Sequence, residues 1–230
     1  MKRNRKTTPR FSDMQQSIDK IVKAVGKYQP IARSKPSRQL ALKAIRTLIA
    51  YIGDNPDRPG LKKTPERVIK AWEDDWGIGY NSFYESNQRN SILNAQFDDG
   101  AEQYDQMICV RSIRFHSHCE HHLAEFSGTV DIAYIPSKKG KILGLSKLVR
   151  IVEIYSKRLQ VQERLTAQIA DFIDNNCKPL GVGVVIKAKH GCMLSRGVRQ
   201  SETIAVTSAL RGEMIKKQEV RDEFLRLVGR

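Results

Sequence analysis

Apolar positions recur at two periods along the chain, and the change from one to the other divides it. Up to about residue 76 the spacing is helical. Ser12 is placed to cap a run in which Ile18, Ile21, Val22 and Val25 share a face before Gly26. Lys27 to Pro36 reads as a linker. Ser37 then caps a stronger helix, with Leu40, Ala44, Ile45, Leu48 and Ile49 on one side and Gly53 closing it. The turn cluster Asp54 to Gly60 separates this from a third helix. That helix starts at Thr64-Pro65, where proline's missing N–H costs nothing, and runs to about Trp76.

From Ile92 the period falls to two. Ile92 to Phe97, Met107 to Phe115 and Gly128 to Ile135 read as strands, the last alternating Val130, Ile132 and Tyr134 with Thr129, Asp131 and Ala133. Two helices follow. Ser146 is placed to cap the first, whose stripe is Leu148, Ile151, Val152 and Tyr155; the second carries Val161, Leu165, Ile169, Phe172 and Ile173. Gly181 to His190 returns as a strand, Ile204 to Leu210 pairs with it, and a last helix takes Phe224, Leu225 and Val228. This order predicts an α+β fold: a mainly antiparallel sheet with two core helices on one side, preceded by N-terminal helices. Three regions are expected: 1–36, a basic arm with a helix; 37–90, helical; and 91–230, the sheet and its core helices.

Charge sharpens the division. The 230 residues carry a net +15; residues 1 to 63 hold 16 Lys/Arg against 4 Asp/Glu, giving +12, and the remainder holds 24 against 21, giving +3. A basic arm suits nucleic acid or an anionic surface, but this charge lies away from every candidate chemical group, which argues against nucleic acid as partner. No apolar run approaches the ~20 residues of a membrane helix, so no membrane partner is expected. No apolar stretch follows the basic start, so a secretory signal is not expected either. Four cysteines at irregular spacing suit a reducing, cytoplasmic setting and metal binding better than disulfides.

Two short runs carry the chemistry. Cys119 and His122 stand three apart, within one turn, and Cys192 offers a third ligand. Two thiolates and one imidazole leave the fourth position of tetrahedral zinc open, as catalytic sites do. Zinc held so would lower the pKa of bound water to about 7, which makes the expected chemistry hydrolytic. His190 lies two residues from Cys192 on one strand face, and His121 adjoins His122; either imidazole can move protons there. Gly144-Leu-Ser146-Lys147 opens a helix and offers a hydroxyl, an ammonium and free amides to a phosphate, with Arg150 a turn further on. Glu163, beside Gln162, can accept the paired N–H groups of guanine, which adenine cannot supply. Arg67 and Lys70 share a helix face and by themselves read as a solvated basic surface.

The runs Cys119-Glu-His-His122, Gly144 to Tyr155, Arg158 to Thr166, His190-Gly-Cys-Met193 and Arg196-Gly-Val198 together resemble GTP cyclohydrolase I, in order and spacing, from about Thr64 onward. The resemblance implies a tunnelling fold (T-fold) for residues 91–230, self-associated as a ring, usually a homodecamer, with sites between subunits. It implies Zn2+ on Cys119, His122 and Cys192; catalytic roles for His121, His190 and Ser146; guanine held by Gln162 and Glu163; and triphosphate faced by Lys147, Arg150, Arg196 and, from a neighbour, Arg67 and Lys70. The implied reaction converts GTP to 7,8-dihydroneopterin triphosphate and formate, the first step of tetrahydrofolate and pterin biosynthesis. Another T-fold member, the 7-cyano-7-deazaguanine reductase, works through a nucleophilic cysteine and a nicotinamide cofactor, and the three-ligand set argues against it.

Overall fold

Ile132 and Val184 face each other in the middle of three long strands, and the fold is built outward from them. The computed structural model describes residues 35–94, 96–97, 104–138 and 142–229; the helix expected after Ser12 lies outside them. Strands β2 (Ile108–Cys119), β3 (Glu125–Ile135), β6 (Gly181–His190) and β7 (Ala205–Gly212) pair antiparallel, and β5 (Leu159–Gln160) joins the outer edge of β2 in parallel, giving the order β5-β2-β3-β6-β7. A two-stranded pair, β1 (Gln96–Phe97) with β4 (Ile142–Leu143), stands apart. Tyr134 ties β4 to the sheet: its hydroxyl, buried in β3, accepts from the Leu143 N–H at 3.0 Å.

The two core helices, α4 (Leu145–Ser156) and α5 (Gln162–Cys177), cover one sheet face. Leu148, Ile151, Val152, Leu165 and Ile169 meet Val130, Ile132, Tyr134, Val182, Val184 and Ile186 in one fully buried cluster. Burial of each such side chain contributes about 1.5–3 kcal/mol. The opposite face is also covered. Ala133, Ile135 and Val185 pack beneath Met214 of the short helix α7 (Glu213–Lys216) and beneath Phe224 and Val228 of α8 (Gln218–Val228). Gly183 makes this approach possible, since a Cβ there would stand 2.6 Å from the Met214 sulfur.

With both faces covered, Asp131 and Ala133 are buried as fully as the Val130, Ile132 and Tyr134 set with which they alternate. Asp131 avoids an unpaired charge by accepting from the Ser112 N–H at 2.8 Å and standing 3.8 Å from Lys187. Ser112 sits in a bulge where the β2–β3 register shifts, at φ +58°. Lys187 in turn donates to the Val228 carbonyl at 3.1 Å, which satisfies the end of α8.

The N-terminal helices follow the sequence more closely in the first half than in the second. Helix α1 (Arg38–Tyr51) is capped by Ser37, whose hydroxyl accepts from Leu40, and it ends before Gly53 at φ +95°. Helix α2 (Thr64–Ala71) runs into a π-turn at Trp72–Trp76. Next comes α3 (Ser82–Leu93), capped by the Asn81 side chain. Ile92 and Leu93 belong to that helix, so the strand expected over Ile92 to Phe97 shrinks to Gln96–Phe97. A second correction concerns Ser146: α4 already starts at Leu145, with Gly144 as its cap residue, so Ser146 lies inside the first turn and caps nothing.

If α8 holds the second face in place, Phe224→Ala leaves a cavity there and costs about 3–5 kcal/mol. The expected readout is a lower urea midpoint at unchanged m-value.

Candidate metal centre

Strand β2 ends on Cys119, and the chain turns at once. The Cys119 carbonyl accepts from the N–H groups of His122 (3.3 Å) and Leu123 (2.8 Å), with Leu123 at φ +53°, and the Cys119 N–H donates to Ala124 at 2.8 Å. This tight turn swings the His122 ring back over the Cys119 sulfur. The next strand, β3, pairs Phe126 with His190, so β6 finishes beside the turn and delivers Cys192 on the short helix α6 (Gly191–Leu194). At Gly191 a Cβ would meet the Glu125 carbonyl oxygen at 2.7 Å, and its absence lets the two segments close up.

The ligand atoms of Cys119, His122 and Cys192 lie within 4.8 Å of one another, with Cys119 buried and His122 exposed. Burial, and then the charge of Cys119 and a hydrogen bond with it, push the Cys192 thiol up. Two thiols repelling as thiolates beside an imidazole are a donor set that a divalent cation stabilises, and this soft sulfur and nitrogen set suits zinc. The residues therefore fit a metal ion with three protein ligands.

Behind the turn lies support from residues with no role expected from the sequence. Arg164, 8% exposed, pairs with Glu120 and takes the Gln160 side-chain oxygen at 3.0 Å, while Gln160 donates to the Tyr155 carbonyl and to Gln168, both at 2.8 Å. Glu120, Gln160 and Arg164 stand inside the runs that carry the family resemblance, but the runs alone do not show that these side chains pair. His118 is clamped between Trp72 and Trp76, at ring distances of 4.7 and 4.8 Å, and burial pushes its pKa down. This clamp joins the π-turn to β2 one residue from Cys119.

The expected site residues fall into three groups. The first surrounds the cluster. His121 is exposed on the turn, its ring perpendicular to that of His122. His190 stacks on Phe126 at 4.6 Å, burial lowers its pKa, and the charge of exposed Glu163 acts on it in the opposite sense. Arg196 is exposed and near enough to act on the Cys192 thiol. Gln162, 2% exposed, sends its side chain to β6, β7 and His190.

The second group is at the far end of α4. Ser146 is exposed, Lys147 donates to Ser91 at 3.1 Å, and Arg150 donates to Gln88 at 2.8 Å. Helix α4 spans about 18 Å. Its last residue leads into β5, which pairs with His118 and Cys119, whereas its first residues follow Leu143, bonded to Tyr134 at the other end of β3. Within one chain, Ser146 and Cys119 therefore sit at opposite ends of the sheet. The third group is on α2, which packs on α1. There Arg67 donates to the Gly60 carbonyl and Thr64, and Lys70 is exposed.

A mixed sheet-and-helix chain with a Cys-His-Cys group able to hold a metal ion defines the class: an α+β protein with a candidate metal centre. The family described as GTP cyclohydrolase I matches residues 41–229. The GTP cyclohydrolase 1 of Janthinobacterium sp. (strain Marseille) is 52% identical over 79% of this chain and 87% of its own length. That of Maricaulis maris (strain MCS10) is 41% identical over 93% and 100%, and that of Aquifex aeolicus (strain VF5) is 49% identical over 80% and 93%. The chain belongs to the GTP cyclohydrolase I family and is an enzyme with GTP cyclohydrolase function. Among the described residues no helix is long and apolar enough to cross a membrane.

Removing one sulfur should empty the centre. Purified Cys192→Ala is expected to hold far less divalent metal per subunit than the unsubstituted enzyme by elemental analysis, and stoichiometric metal would refute the ligand set.

Proposed function

We propose that this enzyme hydrolyses GTP to 7,8-dihydroneopterin triphosphate and formate, with Zn2+ held by Cys119, His122 and Cys192, as the cytoplasmic entry step to tetrahydrofolate and pterins. The observation that carries this reading is the convergence of those three donors within 4.8 Å from two distant segments. Zinc in that position supplies Lewis acidity that makes water a competent nucleophile near neutral pH.

The chain's own groups do the rest. The Glu163 carboxylate accepts the ring N–H and exocyclic amine of guanine, and so aims carbon 8 at the centre. As water adds to carbon 8, His121 or His190 passes a proton to nitrogen 7 and the imidazole ring opens. A second hydrolysis frees formate. Ser146 then moves a proton at the ribose ring oxygen as the sugar opens and rearranges. Closing the pterin ring gives one water back, so one is consumed overall. No phosphate bond breaks, and Lys147, Arg150, Arg196, Arg67 and Lys70 serve to position the triphosphate.

The same reading takes residues 91–230 as a T-fold and residues 37–90 as a helical region that reaches a neighbour, with residues 1–36 as a basic arm. Subunits assemble as a ring, a homodecamer by family analogy. The separation of Ser146, Lys147 and Arg150 from the metal group within one chain supports sites shared between subunits: the metal half from one, the phosphate half from another.

Two experiments test this. Incubation with GTP is expected to release formate and a product that becomes a fluorescent pterin on oxidation; neither product would refute the reaction. Subunits carrying Lys147→Ala and subunits carrying Cys192→Ala are each expected to be nearly inactive. Unfolded and reassembled together in equal amounts, they should recover up to about a quarter of normal turnover, the share of shared sites left intact by random mixing. No recovery in properly assembled mixed rings would place both halves on one chain.

A further inference from the structure

The hydrogen bonds around Gln162 settle where a proton sits on His190. The Gln162 side-chain nitrogen stands 3.1 Å from the Ile186 carbonyl, 3.0 Å from the Ala205 carbonyl and 3.1 Å from the Thr207 hydroxyl. Carbonyls only accept, so the group facing them is the NH2, and turning the amide over would set its oxygen against two others.

The neighbouring hydroxyls agree with this orientation. Thr166 spends its one proton on the Gln162 backbone carbonyl at 2.6 Å, so in the 2.7 Å contact between the two threonines Thr207 is the donor. The Thr207 oxygen is then left to accept from Gln162. With its nitrogen committed, Gln162 presents its side-chain oxygen to His190 Nε2 at 2.8 Å. An amide oxygen can only accept, so Nε2 carries the hydrogen. The lone pair of the neutral ring is therefore on Nδ1, the nitrogen turned away from Gln162. The ring is also held flat against Phe126, at an interplanar angle of 6°.

We propose that Gln162 is a positioning residue for His190 rather than a guanine contact, fixing the Nε2–H tautomer so that the proton His190 exchanges during the reaction passes through Nδ1. This rests on the reading of His190 as a proton carrier in GTP hydrolysis. The Gln162 side chain, in a residue 2% exposed, has both its N–H groups committed and none left for a base. Guanine recognition then belongs to the exposed Glu163.

The tautomer can be read without any turnover. In metal-loaded enzyme with ring-15N histidine and no GTP, the His190 signals are assigned by their loss in His190→Gln. At a pH where that ring is neutral, the nitrogen coupled to both carbon-bound ring hydrogens, Nε2, is expected at an N–H shift and Nδ1 at a lone-pair shift. The opposite pattern overturns the proposal. Only the assignment calls on a variant; the tautomer itself is read on the unsubstituted protein, and a failed GTP assay leaves it standing.

Kinetics give the second readout. Gln162→Ala is expected to lower kcat roughly 10- to 100-fold, with KM for GTP nearly unchanged, and to cause no further loss in a His190→Ala background. A raised KM at preserved kcat, or losses that simply add, would make Gln162 a substrate contact or a general structural residue and would overturn the assignment.

Discussion

The register of three antiparallel strands decides where the chemistry can occur. Phe126 of β3 lies opposite His190 of β6 and next to Ser117 of β2, so the turn after β2 and the helix after β6 emerge at the same end of the sheet. That register is held by the core rather than by the site. Val130, Ile132 and Tyr134 face the α4–α5 layer while Ala133 and Ile135 face α8, and a slip of one residue would send each set to the wrong partner. A donor set gathered from distant segments is thus fixed by apolar packing, which Cys119 joins and Cys192 lies against.

Support close to the cluster comes in two forms. Aromatic contacts hold the rings: Phe115 on Phe126, Phe126 on His190, and the two tryptophans around His118. Such pairs contribute about 0.5–1.5 kcal/mol beyond the area they bury. Polar contacts hold the turn itself, through Arg164 with Glu120 and through the Glu120 N–H on the Gln160 carbonyl at 3.0 Å. Cys177 marks the contrast with the centre. It is sunk in the core, burial pushes its thiol up to about 12, and it is chemically idle at neutral pH.

Much of this was legible in the chain. The span Gly181 to His190 was read to the residue, because its flanking glycine and apolar run have no helical alternative. The metal cluster was legible because its residue types are scarce and their spacing is tight. Helix α3 was not: its face is sparse, with Asn, Gln, Ser and Arg between Phe83 and Ile92, and its clearest signal is the Asn81 cap rather than a stripe. Burial of Asp131 and Ala133 escaped notice because what covers them lies some eighty residues further on. The direction of the Gln162 amide was beyond the sequence for a related reason. Position 162 opens a helix, but its partners Ile186, Ala205 and Thr207 belong to two strands that only the folded sheet brings to it.

Charge pairing separates the basic residues that build the fold from those left for a ligand. Arg89 and Arg158 share Glu85, while Lys157 pairs with Asp75, Arg164 with Glu120 and Arg211 with Asp171, so that a carboxylate stands beside each cation. Lys147, Arg150 and Arg67 are ordered differently. Their hydrogen bonds run to the Ser91 hydroxyl, to the Gln88 amide oxygen, and to the Gly60 carbonyl with the Thr64 hydroxyl. A neutral acceptor fixes a side chain without cancelling its charge, and it leaves further N–H donors free. Three of the residues expected from the family resemblance to face the triphosphate, Lys147, Arg150 and Arg67, are thus ones the fold orients but does not neutralise, which is the electrostatic condition for an anion to be drawn to them.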